Sequence, residues 1–80
     1  MTDQEIYGVL EDVFRDVFDD PNIKLKANMS SADIPDWDSF NNMNIIMGVE
    51  MNLGVRFTTA DVERMSNVGD LVQAISAKLN

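Results

Sequence analysis

Apolar side chains recur at helical spacing in successive stretches of the chain, separated by polar breaks. Ile6, Val9, Leu10, Val13, Phe14, Val17 and Phe18 mark one face of a first helix, with Glu5, Glu11, Asp12, Arg15 and Asp16 on its wet side. Thr2 and Glu5 form the T-x-x-E pattern of a capping box, which sets the start. The helix is expected to run to about Phe18. Asp19-Asp20-Pro21-Asn22 ends it, because a proline disfavours helical geometry at the residue before it. Residues 19–38 read as a long connection, unusual in so small a chain and often functional. Ile23, Leu25, Met29 and Ile34 are spaced to tack it onto the core, and Pro35 stiffens it ahead of Asp36-Trp37-Asp38.

A second helix is predicted from Asp38-Ser39 to about Leu53, with Asp38 as the N-cap and Gly54 as the stop. Val55-Arg56-Phe57 is short and extended. Thr58 or Thr59 caps a brief third helix, with Val62 and Met65 facing inward. Asn67, with Asp70 following, opens a fourth helix whose stripe is Val68, Leu71, Val72, Ile75 and Leu79. The pattern predicts an all-α protein: a small four-helix bundle with a long loop between helices 1 and 2 and a short third helix, one domain over residues 1–80.

The second helix carries two apolar stripes where a surface helix needs one. Ile45, Ile46, Val49 and Leu53 form the side assigned to the core, since it continues into the turn. Phe40, Met43, Met47 and Met51 form the other, and Asn41, Asn44, Gly48 and Asn52 a polar wedge. The methionine side has two readings. It is a second buried flank of a helix wedged into the bundle, or an exposed surface whose flexible thioethers adapt to partners.

Composition narrows the function. With 80 residues the core is thin and stability is expected to be about 3–5 kcal/mol. There is no Cys and no His, which removes disulfides, thiolate metal sites and Ser-His-Asp catalysis. The net charge of −8 would repel nucleic acid and suits basic or mixed-charge protein surfaces. Residues 1–40 hold ten acids and three bases, and residues 41–80 four acids and three bases. No stretch is apolar for long enough to span a membrane, and no basic region followed by an apolar core opens the chain, so a cytoplasmic address is expected. Asp12, Asp16, Asp19 and Asp20 lack the alternating acids, glycine and terminal glutamate of an EF-hand loop, so they read as a solvated face and no metal is expected.

The informative stretch is Asp36-Trp37-Asp38-Ser39-Phe40. Ser39 falls at the first helical position, where free backbone amides and the positive end of the helix dipole favour a phosphate ester. On Asp38 and Ser39 alone, a plain helix cap is the commoner explanation. Ser39 as a catalytic nucleophile lacks a base: there is no His, and Lys24, Lys26 and Lys78 stand at no recognisable motif spacing from it.

Asp38-Ser39-Phe40 resembles the Asp-Ser-Leu signature of acyl carrier proteins, near the middle of a short acidic chain and at the head of its second helix. Phe57-Thr58-Thr59-Ala60-Asp61 and Ser66-Asn67-Val68-Gly69-Asp70-Leu71 resemble the family's entries into its third and fourth helices. The resemblance implies an acyl-carrier-type bundle that is not an enzyme. In that family a separate phosphopantetheinyl transferase moves 4'-phosphopantetheine from coenzyme A onto the serine, here Ser39, with Asp38 as its motif neighbour and helix cap. The arm's thiol then holds an acyl group as a thioester. The implied partners are the transferase, an acyl-loading ligase or acyltransferase, and a ketosynthase or other acyl-using enzymes, met by a monomer. The second helix docks onto those partners, which makes Phe40, Met43 and Met47 the expected contacts and Glu50 a charged rim.

Members that serve fatty acid biosynthesis usually carry several acids along this helix. Here Asn41, Asn44, Met51 and Asn52 stand in their place, which points to a dedicated lipid or polyketide-type pathway. The alternatives are an aminoacyl or peptidyl carrier using the same arm, and an unmodified acidic docking module.

Overall fold

The computed structural model describes residues 1–79 and contains, among them, four helices and no strand: α1 (Asp3–Phe18), α2 (Ser39–Leu53), α3 (Thr59–Glu63) and α4 (Val68–Leu79). Local chemistry sets most of their ends. The Thr2 hydroxyl accepts from the Glu5 amide at 3.2 Å while the Glu5 carboxylate accepts from the Thr2 amide at 2.8 Å. The same reciprocal box opens α3 between Thr58 and Asp61, which identifies Thr58 rather than Thr59 as the cap. The Asn67 side-chain oxygen accepts from the Asp70 amide at 2.8 Å and starts α4. Gly54 ends α2 in the left-handed region, at φ 67°, where a side chain would be strained.

The end of α1 differs from the expectation. Asp19 itself adopts the left-handed conformation, at φ 51°, and the amides of Asp19 and Asp20 both donate to the Arg15 carbonyl. The helix has therefore turned off before Pro21 can act, using an aspartate's tolerance for positive φ.

α1 packs against α2 and α4. The core is Ile6, Leu10, Val13 and Phe14 of α1, Leu25 of the loop, Ile45, Ile46 and Val49 of α2, Val55, and Val68, Leu71, Val72 and Ile75 of α4. The isoleucine side of α2 is thus the core side, as its continuity into the turn predicts. Leu53, Val62, Met65 and Leu79 pack partly buried around this cluster. Gly48 belongs to the crossing rather than to a solvated wedge: a β-carbon there would lie 2.9 Å from Cγ1 of Val13, so α1 and α2 approach through the missing side chain.

The long loop is held at several points. Leu25 is buried, and Ile23, Met29 and Ile34 pack partly buried on the core. Two α1 residues assigned to the wet face also hold it. The Glu11 carboxylate accepts from the Leu25 amide at 2.9 Å, and Arg15 Nε donates to the Ile23 carbonyl at 2.9 Å. Glu11 and Arg15 also face one another at 3.8 Å. Further on, the amides of Val68 and Gly69 donate to the carbonyls of Met29 and Ala27, each at 2.9 Å, so the loop supplies acceptors for the first turn of α4.

Candidate functional site

The loop ends in a short rigid approach to α2. The Trp37 amide donates to the Ile34 carbonyl at 3.0 Å. Its indole stands edge-on to the buried Phe14 ring, with centroids 5.1 Å apart, and its Nε1 donates to the Asn42 side-chain oxygen at 3.0 Å. Asn41 adds a second tie, its amide nitrogen donating to the Asp36 carbonyl at 2.7 Å. The backbone just before Ser39 is therefore held from both sides by the first turn of α2.

Asp38 is the N-cap, its Oδ1 accepting from the Asn41 amide at 2.8 Å and its carbonyl from the Asn42 amide at 2.8 Å. Ser39 follows as the first residue of α2 and is exposed. Its hydroxyl has no hydrogen-bond partner among the described residues, and neither do the amides of Ser39 and Phe40. An unshielded hydroxyl thus stands beside two free donors at the positive end of a fifteen-residue helix. Nothing beside it is arranged as a general base: the chain has no His, and the Asp38 carboxylate is occupied as a cap. The chemistry this geometry allows is acceptance of a group delivered by another molecule.

Ser39 opens onto a notch of about 380 Å³ between the end of the loop and the segment joining α3 to α4. Trp37 and Met65 are its apolar walls; Ser31, Asp38, Asn42 and Ser66 supply polar atoms.

The methionine stripe of α2 faces solvent. Phe40 is 74% exposed, Met43 59%, Met47 51% and Met51 85%, which removes the reading of a second buried flank. Glu50 sits on the same helix, but its Oε2 accepts from the Phe57 amide at 2.9 Å and ties the extended segment 55–57 to α2. Its carboxylate is thus also engaged within the protein. The neighbouring charge without such a tie is Arg56, which lines a shallow surface hollow with Met47, Glu50 and Met51.

Beyond the hollow, α3 is strapped to the end of α4. Lys78 Nζ lies 3.0 Å from the Asp61 carboxylate and 5.5 Å above the centre of the Phe57 ring. The Asp61 carboxyl is pulled from the ordinary 3.8 to about 2, first by the Thr58 amide that donates to it and then by Lys78. Glu5 is lowered likewise, chiefly by the Thr2 amide.

Among the described residues, four helices, a long pinned loop and a bare serine at the head of the second helix make up a small bundle. No family model matches the chain. It is 32% identical over 75 residues to an acyl carrier protein of Kineococcus radiotolerans, covering 94% of this chain and 93% of that one. It is 25% identical over 80 residues to an acyl carrier protein of Lactobacillus johnsonii, covering the whole of both. Its fold superposes on the solution NMR structure of the holo acyl carrier protein from Geobacter metallireducens with a TM-score of 0.85 and 37% identity, covering 91% of this chain and 84% of that one. The chain belongs to the acyl carrier protein family.

Proposed function

We propose that this protein is a single-domain, non-enzymatic carrier that holds acyl groups on 4'-phosphopantetheine attached to Ser39 and presents them to partner enzymes. The carrying observation is Ser39 itself: exposed, unpartnered, at the first position of α2 and beside two free amides. The residues fit the group. A phosphodiester on this hydroxyl would meet the amides of Ser39 and Phe40 and the helix dipole, and Asp38 fixes the turn that presents it. The similar structure from Geobacter metallireducens is a holo form, which supports the same assignment. When bound, the arm supplies a terminal thiol that carries the acyl group as a thioester. The chain's own residues hold the attachment point rigid through Trp37, Asn41 and Asn42 and leave the chemistry to others.

Partner enzymes are read from the α2 surface. Phe40, Met43 and Met47 form an apolar docking face, with Glu50 a partly engaged rim. Its low acid content supports a dedicated lipid or polyketide-type pathway over general fatty acid biosynthesis. Among the described residues no helix is long and apolar enough to cross a membrane. The test is incubation with coenzyme A and a broad-specificity phosphopantetheinyl transferase, followed by intact mass. One arm is expected on the wild type and none on Ser39→Ala, whose circular dichroism stays unchanged. Labelling of the alanine variant at the wild-type rate overturns the assignment.

A further inference from the structure

We infer that Met47 and Met51 form an oxidation site completed by Arg56. Hydrogen peroxide converts their thioethers to sulfoxides, and the Arg56 guanidinium holds the new oxygen. The site stands independently of Ser39; its effect on docking rests on the α2 face proposed above.

The polypeptide has six Met and no Cys, so no side-chain thiol of its own competes for an oxidant. The six differ in access. Met43, Met47 and Met51 follow one another at four-residue spacing on one face of α2 and are 59%, 51% and 85% exposed. Met29 and Met65 pack partly buried on the core, and the Met29 sulfur already accepts from the Lys26 amide at 3.1 Å. Met1 is exposed too, but precedes α1 and serves as a reference.

Met47 and Met51 are singled out by the hollow of about 320 Å³ that they line with Glu50 and Arg56. Arg56 is exposed and has no partner among the described residues. Glu50 does not pre-empt it: Glu50 Oε2 accepts from the Phe57 amide, and no ion pair joins Glu50 to Arg56. A thioether is a weak acceptor, so the guanidinium gains little from it as it stands. Oxidation changes that. The sulfur lone pair attacks one peroxide oxygen, and the O–O bond breaks as the S–O bond forms. The departing hydroxide takes the proton from the transferred oxygen and leaves as water. Sulfur loses two electrons and the peroxide gains them. The product is a polar sulfoxide, whose oxygen is an acceptor beside a free, charged donor. Both side chains lie outside the core, so the fold survives while part of the docking face turns polar. Methionine sulfoxide reductases reverse the change.

The experiment treats the apo protein with hydrogen peroxide, since the arm's thiol would compete, and maps the added oxygen by tandem mass spectrometry. Oxygen is expected first on Met1, Met43, Met47 and Met51 and last on Met29 and Met65, with circular dichroism unchanged. The Arg56 Nε–Hε resonance is expected to shift once Met47 and Met51 are oxidised. Reduction by the two epimer-specific methionine sulfoxide reductases is expected to be several-fold slower at Met47 and Met51 than at Met43. Arg56→Ala is expected to remove that difference. Binding to a broad-specificity phosphopantetheinyl transferase, measured by calorimetry, is expected to weaken several-fold on oxidation and to recover on reduction. Equal oxidation of all six methionines overturns the site, as does an unmoved Arg56 resonance with reduction rates that Arg56→Ala does not alter. Unchanged affinity overturns its effect on docking. If the untreated protein itself does not bind the transferase, the docking reading fails, and the oxidation site still stands or falls on the map and the Arg56 resonance.

Discussion

Replacing Gly48 by alanine tests the crossing of α1 and α2, and the sign of the effect is set by two opposed terms. An alanine inside a helix is favoured over glycine by about 1 kcal/mol. Against this, the new methyl would stand 2.9 Å from Cγ1 of Val13, with Cγ2 and Cβ of the same residue at 3.6 and 3.8 Å. Carbon pairs rest at about 3.5–4.0 Å, so Val13 must retreat by half an ångström or more. It has little room to do so, being 5% exposed and, as a β-branched residue in a helix, confined to one rotamer. Overpacking of this kind costs about 1–3 kcal/mol. The net expectation for Gly48→Ala is a loss of about 1 kcal/mol. Val13→Ala alone removes a buried side chain and is expected to cost about 2 kcal/mol. In the double variant the new methyl occupies space that Val13 vacates, so it should be about 1–2 kcal/mol more stable than the sum of the singles. Urea denaturation followed by circular dichroism measures all four proteins, with constant slope as the check on two-state behaviour. A Gly48→Ala protein more stable than wild type, or strict additivity in the cycle, would refute a close contact at this crossing.

Four further predictions concern charge, the Asn41 tether and docking. Asp61, lowered to about 2, contributes stability that is present above the ordinary 3.8 and is lost as pH falls from there through about 2, so acid titration by NMR should release Thr58 and Lys78 in that window, and Asp61→Asn should abolish the transition. Asn41 donates to the Asp36 carbonyl and Asn44 has no such tie, so Asn41→Asp should lower the unfolding free energy from urea denaturation by up to about 1 kcal/mol while Asn44→Asp stays within about 0.5 kcal/mol; equal losses would contradict the tether. Acids at 44 should also raise turnover by a fatty-acid ketosynthase, whereas wild type already matching an acid-rich carrier argues against a dedicated pathway. Met47→Ala should fold normally, since Met47 is half exposed, and weaken partner binding measured by calorimetry by about 1–2 kcal/mol; unchanged affinity removes Met47 from the docking face.

Much of this structure is legible in the sequence because the features that set it are local. Capping residues at Thr2, Asp38, Thr58 and Asn67 act on amides within a turn of themselves, and Gly54 acts on its own φ. The apolar stripes of α1 and α4, and the isoleucine side of α2, follow from periodicity alone. What periodicity misses is the use of charged and amide side chains over distance. Glu11 and Arg15 look like wet-face charges because their partners, a donor for Glu11 and an acceptor for Arg15, lie in the loop, well along the chain. Glu50 looks like a rim acid because nothing in the spacing reveals the Phe57 amide. Asn41 reads as a missing acid and Asn42 carries no signal in the spacing, yet both hold the segment before Ser39. Gly48 reads as part of a polar wedge because a missing side chain carries no sign of which neighbour fills its place. Ser39 was legible by position, and its surroundings were not, since the notch is assembled from the loop and the α3–α4 joint.

The carbonyls of Ala27 and Met29 that meet the amides of Gly69 and Val68 have a consequence for how the chain is made. Asn67 caps α4 locally, but the amides of Val68 and Gly69 take their acceptors from a segment that precedes α2. A chain leaving the ribosome exposes those carbonyls first and the matching amides only after α2 and α3 have emerged. Those two carbonyls must therefore stay hydrated through the emergence of two helices. Only when α4 arrives can they be paired. Loop closure of this span costs entropy that grows slowly with length, so the delay penalises rate more than final stability. A helix made later fixes this part of a loop made earlier.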